Sequence, residues 1–202
     1  MLNSFTNFLH ATALVIYALL VYAGMHAGNT FYTAAIFFLF SLLFVLKILG
    51  VLVHLPNIEK NIRLRNLLWI LISGGVVMLN FATLYALSIP MAVTAVGMAV
   101  TLTSVAVFLF ILKRDVRYVP LAFALIFVYL LTAFYTCGLL RVGFLMVVAS
   151  NVLWIGLARI PYLHRNAYHN DIYHLALIAS TYVLYSTVSM GLWQEGMCGG
   201  LL

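Results

Sequence analysis

Seven runs of apolar residues, each about 20 long and bounded by charges, prolines or glycines, divide this chain from end to end. A hydrocarbon layer about 30 Å thick takes roughly 20 helical residues at 1.5 Å rise each, so these runs are bilayer-sized. In lipid every backbone polar group must be satisfied within the protein, and continuous apolar runs of this length do so as helices. Composition agrees, since 66% of the 202 residues are hydrophobic and 7% charged, with a mean hydropathy of +1.15. Soluble domains run at roughly 45–50% apolar and 25% charged, and one core of this size could not hide the excess. Disorder is excluded by the wealth of aliphatic and aromatic residues. Cytosolic enzymes, secreted disulfide scaffolds and nucleic-acid binders drop out with it. The sequence therefore predicts an all-α integral membrane protein, a multi-pass bundle of seven transmembrane helices forming one domain over 1–202, with no soluble domain attached.

The blocks run about Phe8 to Ala27, Phe31 to Val53, Leu67 to Leu87, Met91 to Leu112, Val119 to Thr136, Val142 to Ala158 and Asp171 to Trp193. The first lacks a basic leader and is long enough to span, so it reads as retained. Ser88 and Pro90 mark a tight hairpin between the third and fourth, and Pro120 sits in a first helical turn, where proline is tolerated. Lys60, Arg63 and Arg65 follow the second block, Lys113, Arg114 and Arg117 the fourth, and Arg159 and Arg165 the sixth. Basic residues mark cytoplasmic loops, which predicts a cytoplasmic N-terminus and an external C-terminus. Trp69, Tyr118 and Tyr162 near the inner ends, with Tyr135 and Trp193 near the outer ends, suit two aromatic belts. The only cysteines, Cys137 and Cys198, then share the outer face, where an oxidising compartment allows a bridge.

Polar groups at membrane depth are expensive, so each is a candidate for function. Asp171 and Asn170 precede His174 by three and four residues, and a helix puts them on neighbouring parts of one face that continues through Thr181 and Tyr185. A carboxylate and an imidazole at that spacing suit zinc, whereas the plainer role of Asp171 is a helix cap favoured by the dipole. His54 ends the second block at the same level and meets His174 if the second and seventh spans are neighbours. Lys47 lies two turns deeper, suited to an anionic head group, to a developing oxyanion or simply to snorkelling. Gly24 and Gly28 suit close helix packing. Asn151 and Ser150, Asn80 and Thr83, and Thr101, Thr103 and Ser104 read as interhelical hydrogen-bonding groups.

With these residues in view, the chain resembles a divergent member of the superfamily that joins hemolysin-III-like proteins, progestin and adipoQ receptors and alkaline ceramidases. The resemblance rests on the seven spans, the opening NSFTNFLHATAL, the LGVLVH ending in His54 and the segment HNDIYHLALIASTYVLYSTV entering the last span. It implies a zinc held by a histidine at the end of span two and two histidines at the start of span seven, and hydrolysis of a lipid amide such as ceramide. His54 and His174 match that pattern. Asn170 stands where the other span-seven histidine belongs, Gly50 where a serine belongs, and no aspartate follows in span three. Asp171 or His169 would have to complete the zinc set. Lys47, Asn170, Thr181 and Tyr185 are the expected substrate-binding residues.

Two function classes follow. One is a zinc-dependent hydrolase of a ceramide-like lipid amide. The other is a non-catalytic receptor-like bundle, or a structural subunit beside another membrane protein, in which the metal site is lost. Both have membrane lipids as partners, with a lipid as substrate or ligand, and neither involves nucleic acid. A b-type cytochrome built on His10 with His54 or His174 is a third class, which a visible spectrum separates.

Overall fold

The computed structural model describes residues 2–24, 30–111 and 119–190. Among these, every element is a helix: α1 (Leu2–Gly24), α2 (Thr30–Val53), α3 (Pro56–Lys60), α4 (Ile62–Ala86), α5 (Met91–Ala106), α6 (Val119–Tyr135), α7 (Gly138–Leu157), α8 (Pro161–Arg165) and α9 (Tyr168–Ser189). A π-helical turn, Val107–Ile111, continues α5. Five helices, α1, α2, α4, α5 with its extension, and α7, are long and apolar enough to cross a membrane. The apolar α6 is shorter at 17 residues, and α9 is 22 residues long but carries His, Asn, Asp, Ser and Thr along its length.

Helix starts differ from the sequence reading where polar residues begin a helix instead of ending a loop. Helix α4 starts at Ile62, not near Leu67, because the Asn61 side chain accepts the Leu64 N–H at 3.2 Å and caps the first turn. The polar stretches after α2 and α7 each contain a short helix opened by proline, Pro56 or Pro161, whose fixed φ suits a first turn. The hairpin at Ser88 takes the expected form. Ser88 has a φ of 52°, Ile89 N–H reaches the Leu84 carbonyl and Ser88 N–H that of Tyr85, so a left-handed residue closes α4 while Leu84 and Ile89 bury together.

The helices close into a ring in which α1 packs on α2 and α9, α9 on α7, α7 on α6, α6 on α5 and α4, and α4 on α2. Inside lies an apolar core of Leu14, Phe40, Leu84, Val128, Phe144 and Leu177. Outside, Phe8, Leu19, Phe110 and Phe134 are exposed, while Asn80, Thr101, Thr132, Asn151 and Ser180 are buried. That distribution inverts the soluble pattern and suits a hydrocarbon solvent.

Polar side chains join the helices largely as expected. Asn80 Nδ2 donates to Thr101 Oγ1 at 2.9 Å between α4 and α5, and the Ser150 and Ser180 hydroxyls meet at 3.3 Å between α7 and α9. Thr103 is a correction, because it faces outward, two residues round the helix from the buried Thr101. Thr83 binds the Leu79 carbonyl of its own helix. Cys137 is disulfide-bonded, and Cys198 lies outside the described residues, as do His26, Gly28, Lys113, Arg114, Arg117, Tyr118 and Trp193.

Candidate functional site

The polar interior gathers where the first turns of α1 and α9 meet the last turns of α2. The Thr6 hydroxyl donates to Asp171 Oδ1 at 2.8 Å, so α1 and α9 run parallel, their N-terminal ends side by side. Lys60, Arg63, Arg65, Arg159 and Arg165, in or beside the α2–α4 and α7–α9 connections, occupy that same end by chain alternation.

One turn into α9, His174 is buried and Lys47 of α2 reaches it, with Nζ 3.3 Å from His174 Nδ1 and 5.5 Å from the centre of the Tyr173 ring. The ammonium can only donate, so Nδ1 of His174 is the acceptor and the ring hydrogen belongs on Nε2. Lys47 therefore turns inward, and snorkelling is not its role. His10 of α1, 1% exposed, lies against Thr181, its Nε2 3.3 Å from Thr181 Oγ1. Thr181 Oγ1 also lies 2.9 and 3.0 Å from the carbonyls of Leu177 and Ile178, so its one hydrogen goes either to them, with His10 Nε2 donating, or to Nε2, with the ring hydrogen on Nδ1. Nδ1 is buried with no hydrogen-bond partner. His174 lies within electrostatic reach of Lys47, His10 and His54 together, and among the described residues no carboxylate pairs with Lys47.

The remaining predicted site residues diverge. Asp171 turns to α1, binds Thr6 through one oxygen and leaves Oδ2 buried without a partner. It stands in the first turn of α9 without capping it. Asn170, one residue earlier, turns to α7, where its Oδ1 accepts the Trp154 indole N–H at 2.8 Å. His169 Nδ1 donates to the Leu163 carbonyl at 3.2 Å, and its ring lies 6.3 Å from Trp154 and 5.1 Å from His164. Burial holds the His169 imidazole below its ordinary value, against the opposing pull of the Leu163 carbonyl. Tyr185 stacks on Tyr17 at 4.7 Å, farther along the α1–α9 seam. The expectation that Asp171, Asn170, His174, Thr181 and Tyr185 share one stripe thus holds for the α1 side only.

His54 ends α2 half-buried, and the group that reaches His174 from α2 is Lys47. Helix α1 packs against both α2 and α9, and these two also meet directly, through Lys47 with Tyr173 and His174 and through the Phe40 and Tyr185 rings 6.5 Å apart. Gly50 also has a structural reason. A Cβ there would lie 3.3 Å from Asn7 Oδ1 of α1, tighter than ordinary contact, so the Asn7 amide already fills the space a serine would enter. Thr6 and Asn7 are the residues that sequence reasoning passed over, and His10 entered it only as a candidate haem ligand. The signal available was their spacing in the opening TNFLH, which puts Thr6 and His10 on one helix face.

This donor set does not fit a zinc ion. The lone pair His174 would offer at Nδ1 already receives the Lys47 ammonium, and a cation beside that ring repels a second, doubly charged one. Asp171 and His169 are held toward Thr6 and Leu163, on different sides of α9. Among the described residues, no three His, Cys, Asp or Glu side chains gather as a metal set. No protein-family model, curated protein or solved structure matches the chain.

An apolar cavity of about 40 Å³ lies deeper, lined by Leu43, Leu79, Thr83, Tyr129, Phe144 and Leu184 among others. It begins one turn of α2 beyond Lys47 and has room for a water or a methylene or two, not for an acyl chain.

Proposed function

We propose that this chain is a seven-span integral membrane protein, N-terminus cytoplasmic and C-terminus external, that binds a membrane amphiphile at its cytoplasmic end without metal chemistry. The parallel pairing of α1 and α9 supports the span count, because two spans that start at the same face have an odd number of spans between them, here the five formed by α2, α4, α5, α6 and α7. The ends that meet there adjoin the basic segments at Lys60 to Arg65 and Arg159 to Arg165, which supports the orientation.

The observation that carries the functional reading is the Lys47 contact to His174. Among the described residues Lys47 meets an imidazole and an aromatic ring and no carboxylate, and ionisable residues at such depth mark binding sites by default. The bundle then acts as a receptor-like or accessory membrane protein of the superfamily it resembles. Zinc-dependent hydrolysis of a lipid amide is the second reading, favoured by His54 and His174 standing at one end of the bundle. It requires Lys47 to leave His174 Nδ1.

Metal content of the purified protein separates the two. The binding reading expects well under one zinc per chain in the wild type and the same in His174→Ala. Stoichiometric zinc that disappears in His174→Ala would overturn it in favour of the hydrolase.

A further inference from the structure

The turn between α6 and α7, at the other end of the bundle, carries the disulfide-bonded Cys137 with a guanidinium held against its sulfur. Arg141, in the first turn of α7, folds back over the end of α6, where Nε donates to the Ala133 carbonyl at 3.0 Å and shares its hydrogen with that of Thr136. Its Nη2 lies 3.9 Å from Cys137 Sγ. The backbone thus anchors the charge beside the sulfur, and the same guanidinium covers the carbonyl end of α6, which is negative in itself. Cys137 also stands at the N-cap of the 20-residue α7, with an extended backbone and no hydrogen bond from its side chain to the first turn. The positive end of that helix adds to the Arg141 charge. Cys137 is half-buried and Arg141 exposed, which leaves a path from water to the bond.

A sulfur placed in this way matters when its bond opens. In thiol–disulfide exchange a thiolate attacks one sulfur, the S–S electron pair passes to the other, and the bond opens faster the better the departing thiolate is stabilised. A guanidinium and a helix N-terminus are the settings that favour a thiolate, so the fold makes Cys137 a good leaving group. The sequence holds two cysteines, so the sulfur open to attack is that of Cys198. Their bond ties the α6–α7 turn to the chain beyond α9 and closes a covalent loop through both α7 and α9.

We propose that this disulfide is a latch opened by thiol exchange, in which Cys137 is the sulfur that leaves and Arg141 the group that receives its charge. One thiolate of a dithiol reductant bonds to Cys198 Sγ, the S–S bond breaks, and its electron pair goes to Cys137 Sγ beside Arg141. The second thiolate of the reductant then attacks the mixed disulfide, releases the Cys198 thiolate and leaves the reductant as its own disulfide. Two electrons pass from the dithiol to the protein, and the protons the dithiol gave up are available to the two cysteines. The open latch frees the chain beyond α9 from the α6–α7 turn and leaves Cys137 as a thiolate ready for alkylation or reoxidation.

The test uses the full chain, folded in a mild detergent, with 2-mercaptoethanol as an uncharged monothiol probe. Acid quenching early in the reaction traps the mixed disulfide, and peptide mass spectrometry locates it. The adduct should sit on Cys198, with Cys137 free. Arg141→Gln should slow opening by about threefold or more, and Arg141→Lys by less, because the leaving sulfur loses its charge partner. A merely structural role for Arg141 has the opposite sign, since a loosened turn exposes the bond and speeds its opening. In chains unfolded by guanidinium chloride the wild type and Arg141→Gln should open at one rate, because nothing then holds the guanidinium against the sulfur. The adduct is located on the wild type, so it decides the matter even where Arg141→Gln does not fold. An adduct on Cys137, or one shared equally between the two sulfurs, would overturn the proposal. So would a folded Arg141→Gln that opens as fast as the wild type or faster, and so would a folded wild-type bond that stays closed at thiol concentrations that open it in the unfolded chain.

Discussion

The helix that carries most of the site packs on α7, and at Gly143 the two approach closely. A methyl group at Gly143 would stand 2.5 Å from Leu184 Cδ2, 2.8 Å from Cγ and 3.5 Å from the Leu184 backbone nitrogen. The Cδ2 atom can rotate away, but Cγ follows only if α9 shifts or Leu184 leaves its rotamer, and overpacking of this kind costs about 1–3 kcal/mol. Alanine returns about 1 kcal/mol of helix propensity, so Gly143→Ala should be neutral to about 2 kcal/mol destabilising. Gly74, in the middle of α4, provides the control, since a methyl group there meets nothing within 4 Å. Gly74→Ala gains the propensity alone, which separates the two variants by about 1–3 kcal/mol. At about 2–4 °C per kcal/mol for a chain of this size, their midpoints should differ by about 2–12 °C. Tryptophan fluorescence during thermal unfolding in a mild detergent reads the difference. Equal midpoints would refute the close approach of α7 and α9 and, with it, the position assigned to the site-bearing face.

Thr101→Val should cost about 1–3 kcal/mol in a detergent unfolding titration, because Asn80 Nδ2 loses its partner inside the bundle. Asn80→Leu should cost less than about 1 kcal/mol, since it also removes Asn80 Oδ1, which is buried without a partner; the reverse order would sink this account. Cys137 should resist maleimide labelling in denatured protein until reductant is added, and labelling without reductant would contradict its disulfide. A reporter fused after Leu202 should be external and one inserted between Pro56 and Asn66 cytoplasmic, whereas both on one side would make the span count wrong by one.

Block boundaries were legible in the sequence where a single residue type decides them. Helix α2 ends at Val53 and α5 starts at Met91, beside the polar LPNIEK stretch and Pro90 as read. The Ser88 turn was legible because local geometry leaves few alternatives, whereas Asn80 and Thr101 were expected as interhelical hydrogen-bonding groups but not as each other's partner. Helices α3 and α8 were not legible, since the five-residue segments PNIEK and PYLHR, each opened by its proline, have the composition of a loop, although Asn61 before Ile62 was a readable cap for α4. The site was half legible. His174, Asp171 and Thr181 stand inside as their spacing requires. Which of them faces Lys47, which faces Thr6 and which faces His10 depends on how α1, α2 and α9 are arranged around one another. Helical periodicity describes one helix at a time and does not specify the order of neighbours.

The hydrogen bond from Thr6 to Asp171 joins residues 165 positions apart, and His10 and Thr181 are 171 apart. Insertion proceeds from the N-terminus, so for most of synthesis His10 and Lys47 sit in lipid with neither α9 nor each other's final surroundings to satisfy them. Polar groups stranded in that way are unfavourable, and they weaken the hold of the first two helices on the bilayer until the last one arrives. A nascent chain halted after α7 lacks the contacts that α9 brings to Lys47 and His10, and completion of α9 supplies both together.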